Sequence, residues 1–303
     1  MTIIDEILES NYFTDNPPVL LDIGASTAIH PKWQPLARHS ICIAFDADDR
    51  EIGYAATASK GYKKLHLFNS LVSDGAAAEA DFFLTRFPLC SSLLEPDQQS
   101  LAQYNFGDLF ELDKVVRLKT VQLREALKAA GVAKVDWFKT DSQGTDLRLF
   151  NSLGNNLIKQ TLVAEFEPGI VDAYRGEDKL HDLMRFMDSQ PFWMNDMHIK
   201  GTQRISQEAL RRCFQDHTGQ LREGMSLKTS PCWSEVSYFN SFGPEADWLN
   251  QRDYLLGWIF ALIEGQYGFG LDIALQGGKR FGTAVFEQLA ECSVELLTRD
   301  SSR

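Results

Sequence analysis

The sequence predicts an α/β fold, a mainly parallel open sheet with helices on both faces, and three observations predict it. Short apolar runs recur, each closed by a glycine or an acid, as Val19–Ile23 is by Gly24 and Ile41–Phe45 by Asp46. Segments of helical periodicity alternate with those runs, which is the pattern of parallel strands joined by crossover helices. The strand signal stops at Pro244, and two apolar helical stretches follow. The expected organisation is a sheet domain over residues 1–243 and a helical C-terminal appendage over 244–303.

Taken in order, Val19–Ile23 and Ile41–Phe45 are almost wholly apolar, as strands buried on both faces must be. Between them, Ala28–Arg38 carries Pro31 and Pro35 and makes an awkward helix. Asp48–Lys60 has an acidic first turn, which suits the positive end of a helix dipole. Leu65–Phe68 is a third strand, followed by a loop over 69–80. Asp81–Arg86 is an added strand, Pro88–Asp97 a loop, Val115–Leu118 a strand and Val121–Gly131 a helix stopped by its glycine. Val135–Lys139 then runs into the loop Asp141–Gly144 and the helix Asp146–Leu153. Thr161–Phe166 is the next strand, Lys179–Asp188 an amphipathic helix and Val236–Phe239 a late strand. In the appendage, Trp248–Glu264 and Thr283–Leu297 are expected as helices either side of a glycine-rich hinge, Gly265–Gly282.

Composition removes several function classes. The 303 residues can bury a sizeable core, and 44% hydrophobic with 24% charged residues exclude a disordered, collagenous or coiled-coil chain. Thirty Lys+Arg against 42 Asp+Glu leave a net charge of −12, the wrong sign for neutralising a phosphate backbone, so no nucleic-acid partner is expected. The start, MTIIDEILES, lacks the basic and apolar regions of a secretory signal, so a cytoplasmic location is expected. The best apolar run, Tyr254–Ile263, falls far short of the ~20 residues that span a bilayer, so no membrane span is expected. Cys42, Cys90, Cys213, Cys232 and Cys292 are scattered without a CxxC pair, which fits reduced thiols and no metal.

Ligands of open α/β sheets bind beyond the carboxyl ends of the strands. In this chain those positions are small or acidic: Asp22 and Gly24, Asp46 and Asp48, Asn69 and Ser70, Asp141–Gly144, and Glu165 with Glu167. A glycine after the first strand lets backbone approach a ligand, and Asp46, 22 residues later, suits the two hydroxyls of a ribose. An adenosine-bearing cofactor follows. The loop reads GASTAI, without the GxGxxG that a pyrophosphate needs, which favours S-adenosylmethionine over a dinucleotide. A nicotinamide-dependent oxidoreductase is the alternative enzyme class, and a non-catalytic binding protein of the same fold is a third reading.

The segments VLLDIGAS, AFDAD and CSSLLEPD, and above all VDWFKTDSQGTDLRLFNSLG followed by LVAEFEP, together resemble the FkbM-type S-adenosylmethionine-dependent methyltransferases from Val19 to about Pro168. The resemblance implies a Rossmann-like class I methyltransferase fold with a late antiparallel strand, for which Val236–Phe239 is the candidate. It implies O-methylation of a hydroxyl on a sugar, glycan precursor or related natural product. Asp22 and Gly24, with Ala25 and Ser26, would line the methionine end; Asp46, beside Ala47, would hold the ribose; Asn69, Ser70 and Leu71 would flank the adenine. Asp141, Ser142 and Gln143 would stand at the methyl-transfer edge. Asp46-Ala47 departs from the family's usual Glu-Pro, and Asp146 from its usual Glu.

A base assists methyl transfer to a hydroxyl by removing its proton. The candidates are Asp141, Glu165, Glu167, His30 and His198, with Asp141 and Glu165 taken as catalytic. Ser91, Ser92 and Glu167 are expected at the acceptor, a small-molecule or glycan hydroxyl. Phe192, Trp193, Trp233, Tyr238 and Trp248 are expected either to wall its pocket or to fill the core. The Trp258–Phe260 cluster is expected to be buried, within one chain or in a homodimer.

Overall fold

The computed structural model describes residues 3–24, 29, 31–45, 47, 61–214 and 227–300. Its strands are β1 (Val19–Ile23), β2 (Ile41–Phe45), β3 (Lys64–Phe68), β4 (Leu71–Val72), β5 (Glu79–Thr85), β6 (Leu112–Val121), β7 (Trp137–Thr140), β8 (Val163–Phe166), β9 (Phe192–Gln203) and β10 (Thr229–Asn240). Its helices are α1 (Ile3–Leu8), α2 (Asn11–Thr14), α3 (Gln34–Ala37), α4 (Gln98–Leu101), α5 (Leu123–Ala130), α6 (Asp146–Ser152), α7 (Asn155–Gln160), α8 (Leu180–Met187), α9 (Gln207–Phe214), α10 (Gln251–Ile263), α11 (Tyr267–Phe281) and α12 (Ala284–Asp300). The helix expected over Asp48–Lys60 lies outside the described residues.

Seven strands form one sheet in the order β3-β2-β1-β7-β8-β10-β9. Pairing is parallel from β3 through β8, and β10 inserts antiparallel to both β8 and β9. This is an α/β sheet flanked by helices, compatible with a Rossmann-like fold. Alternation along each strand sorts side chains to the two faces. Leu20, Cys42, Ala44, Trp137, Val163 and Phe239 face one layer, packed on α1 and α10–α12. Leu21, Ile43, Phe138, Ala164, Phe166 and Tyr238 face the other, packed on α5–α8.

Within the segment expected as an appendage, α10–α12 pack on one face of the sheet beside α1. Trp258, Ile259 and Phe260 are fully buried within this single chain. The expected hinge Gly265–Gly282 is instead helix α11. Its glycines allow close packing: a Cβ at Gly277 would lie 2.4 Å from the Phe286 ring, so α11 and α12 approach only because none is there.

β9 was not expected as a strand. Its sequence, FWMNDMHIKGTQ, lacks a buried face because it is an edge strand held only by β10. The loop expected over 69–80 contains β4 and the first residues of β5, which join β6 in a separate three-stranded sheet of order β4-β6-β5. No helix among the described residues is long and apolar enough to cross a membrane.

Candidate functional site

The carboxyl ends of β1, β2, β7 and β8, with the β9–β10 hairpin, border a cavity of about 950 Å³. That lies at the upper end of ligand clefts, about 300–1,000 Å³.

The exits of β1 and β7 are stitched together. Gly24 N–H donates to the Phe45 carbonyl (3.1 Å) and Asp141 N–H to the Ile23 carbonyl (2.9 Å). Gly24 has φ +82°, and a Cβ on it would lie 2.1 Å from the Asp141 carbonyl oxygen. A side chain is therefore excluded twice, by φ and by space. Gly24→Ala is expected to cost about 1–3 kcal/mol of stability and to displace the Asp141 loop; urea unfolding of the variant checks it, with unchanged stability as the contrary result.

Asp22 does not reach the cavity. It is fully buried behind Lys139, whose Nζ donates to it at 3.1 Å. Burial alone would lower the pKa of the Lys139 ammonium, but Asp22, Asp141 and Glu165 outweigh it and hold the pKa above its ordinary value. Lys139, the first residue of the KTD segment, lines the cavity and is a site residue that strand-end reasoning passed over.

Asp146 organises the loop that follows. One of its oxygens accepts from the Thr140 hydroxyl (3.1 Å), from Ser142 N–H (2.9 Å) and from the Ser142 hydroxyl; the other accepts from Glu167 N–H (2.7 Å). The apparent departure at this position thus ties the exits of β7 and β8 together. Gln143 adopts φ +56°, a left-handed conformation held at three points. Its carbonyl accepts from the Ser92 hydroxyl (2.6 Å), its Oε1 accepts from the Tyr174 hydroxyl (2.8 Å), and its Nε2 donates to Asp141 (2.5 Å).

Ser92, expected at the acceptor, is fully buried and serves this anchoring. Ser91 lines the cavity while its hydroxyl oxygen accepts from Thr85 N–H at 3.1 Å. Asn69, expected beside adenine, is exposed and off the cavity wall, whereas Ala47, Ser70 and Leu71 line it with Ile23, Phe45 and Phe82. Ala25, Ser26, His30 and Asp46 lie outside the described residues.

Two carboxyls are strongly perturbed. Burial pushes Asp141 up to about 6, with Asp146 and Asp22 adding repulsion and Lys139 and Gln143 opposing it. Burial, then repulsion from Asp141 and Asp146, pushes Glu167 up to about 9. Both carboxyls thus keep their protons to higher pH than free carboxyls do, Glu167 the more strongly. Glu167 folds with a tighter grip on its proton than it has unfolded. It thus contributes stability that is fully present below its ordinary value of 4.5 and is lost as pH rises through about 9. Glu167→Gln should leave Tm unchanged at pH 4 and raise it by a few degrees at pH 8; thermal melts at both pH values check this, and equal shifts would count against it.

Glu165 lines the cavity but is engaged: it accepts from Trp137 Nε1 (2.5 Å) and Lys32 Nζ (3.1 Å). Lys32 donates also to Glu264 (3.0 Å), which accepts on its other oxygen from Asn195 (2.8 Å). Of the two acids expected as catalytic, Glu165 thus holds Lys32 and Trp137, while Asp141 accepts from Gln143. Lys32 and Glu264 were missed because only the tertiary fold brings residues 232 apart together.

His198 lines the cavity, exposed and 2.9 Å from Asp196. Of the five aromatics, only Trp233 lines it, stacked on Phe106 (centroids 6.1 Å apart, planes at 11°). Trp193 and Trp248 pack at one face of the sheet, and Phe192 and Tyr238 at the other. Among the described residues no three His, Cys, Asp or Glu side chains converge as a metal site.

Fold and site together define an α/β chain with a ligand-sized cavity at the carboxyl edge of an open, mostly parallel sheet. No protein-family model, curated protein or solved structure matches the chain.

Proposed function

We propose that this protein is an S-adenosylmethionine-dependent O-methyltransferase acting on a hydroxyl of a sugar, glycan precursor or related metabolite. One observation carries the reading: a single cavity gathers Gly24, Ala47, Ser70 and Leu71 with Asp141, Ser142 and Gln143, from strand ends up to 119 positions apart. The insertion of β10, which contains Val236–Phe239, antiparallel beside β8 supports the methyltransferase variant of the open sheet.

The residues fit the cofactor. An apolar slot of Ile23, Phe45, Ala47, Leu71 and Phe82 suits an adenine ring, and Asp141 suits a cationic centre. Every lysine on the described wall already serves carboxylates, Lys139 with Asp22 and Lys32 with Glu165 and Glu264, which counts against a pyrophosphate and so against the nicotinamide reading. S-adenosylmethionine, when bound, supplies an electrophilic methyl group.

The chain's own part is positioning and proton handling. Asp141, fixed by Gln143 and by the stitched β1 exit, holds its carboxylate ready to accept the proton of the acceptor hydroxyl. Glu167, which burial makes reluctant to ionise, serves as a hydrogen-bond donor to an acceptor oxygen. The three-stranded sheet and the 87–110 segment give the cavity an apolar wall through Phe82, Leu93, Phe106 and Phe110.

Titration calorimetry with S-adenosylmethionine and, separately, with NAD tests the proposal. Micromolar binding of the first and none of the second is the expected result. Binding of NAD alone, or of neither, overturns it.

A further inference from the structure

The described wall of the cavity carries seven carboxyl side chains against two lysines. Among them are Glu167 just past β8, Asp196 on β9, Glu235 on β10 and Glu264 just past α10. The Glu167 carboxyl has no hydrogen-bond or ion-pair partner among the described residues, although like charges crowd it. Glu235 pairs with the half-exposed Lys200 (3.1 Å), and Asp196 lies 2.9 Å from the exposed His198 and accepts from Met197 N–H (2.8 Å), surface contacts that yield to a competing cation at little cost. Lys32 is bound between Glu165 and Glu264, and Lys139 is held by Asp22.

An acceptor bearing a phosphate or carboxylate would meet repulsion here with no uncommitted lysine among the described residues of the wall to offset it. A bare metal ion is a poor match too, because no three ligand side chains converge among the described residues. The carboxyls are spread along a wall, and Trp233 presents an aromatic surface beside them, a setting for an extended organic cation.

We infer that the acceptor is a polyhydroxy amine, an amino sugar or a chemically similar molecule, whose ammonium is received by Glu235 while a ring lies against Trp233, two positions away on the same face of β10. This rests on the methyltransferase reading of the same cavity, Asp141 taking the proton of a hydroxyl on that frame.

The test is calorimetric, at low ionic strength, with the full chain saturated in S-adenosylhomocysteine and again without it. Two probes share one frame: a fully deacetylated chitosan trisaccharide, with free amines, and its N-acetylated counterpart, which is neutral. Glucose 6-phosphate is the anionic probe. The amine probe is expected to bind about tenfold tighter than its neutral counterpart, the gain of one charge-assisted hydrogen bond, and the phosphate not at all. Glu235→Gln, which gives up a surface pair with Lys200 and is expected to fold as the parent does, should remove most of that advantage and leave the neutral probe unaffected.

Equal or tighter binding of the neutral or anionic probe overturns the inference. So does an advantage that Glu235→Gln leaves intact, or no binding by any probe. Binding of S-adenosylmethionine is measured separately: its absence removes the methyltransferase reading, while the unloaded titrations still report whether this wall selects cations.

Discussion

Replacing Arg252 by Met is expected to cost about 3–5 kcal/mol of folding stability, the usual effect of stranding a buried charge. Arg252, on α10, donates two hydrogen bonds to the fully buried Asp136 (2.9 and 2.8 Å) and one each to the carbonyls of Asn16 (2.8 Å) and Pro17 (2.9 Å). Asp136 also accepts from Val19 N–H at 2.8 Å, so one ion pair joins the starts of β1 and β7 to the helical layer over the sheet. Although burial opposes it, Arg252 and Lys134 hold Asp136 down to about 2. Its contribution is therefore present above its ordinary value of 3.8 and is lost as pH falls toward 2. Urea unfolding at pH 7 measures the loss. In Arg252→Met/Asp136→Asn much of it should return, since no charge is left unpaired; a single variant as stable as the parent would show that the pair is dispensable. Removing 244–303 altogether uncovers Leu20, Trp137 and Phe239 on one sheet face and is expected to aggregate the chain.

Asp141→Asn is expected to lower kcat by about 10²–10⁴, the usual contribution of a positioned base, with a smaller change in KM. The pH profile separates this from a structural effect. In the parent, the rate should rise with pH through about 6 as Asp141 ionises, and the variant should lack that limb. Because its pKa is raised on folding, ionised Asp141 reduces stability as pH rises from 3.8 through about 6, so the variant should be no less stable at pH 7. Turnover is read as S-adenosylhomocysteine release across pH 5–9 with an acceptor that supports it. A variant that keeps the acidic limb removes Asp141 from the proton path.

The sequence by itself determined the strands whose residues carry their own signal. Val19–Ile23 and Ile41–Phe45 match β1 and β2 to the residue, because a strand buried on both faces must be apolar throughout. It also determined that Gly24 and the Asp141–Gly144 loop fall at strand exits, and the structure places both on one cavity. An edge strand such as β9 and a glycine-bearing helix such as α11 were decided by their neighbours, β10 and the Phe286 ring, and no local pattern records those.

The same holds at the site. Residue type marked Ser92, Glu165 and Glu167 as chemical, but only tertiary structure shows one buried as an anchor, one engaged by Lys32 and Trp137, and one crowded by other acids. Lys32 and Glu264 became partners only when α10 folded over the sheet. Local periodicity is fixed by each segment's own burial, whereas protonation and partnership depend on groups distant in the chain, and those distances exist only once it has folded.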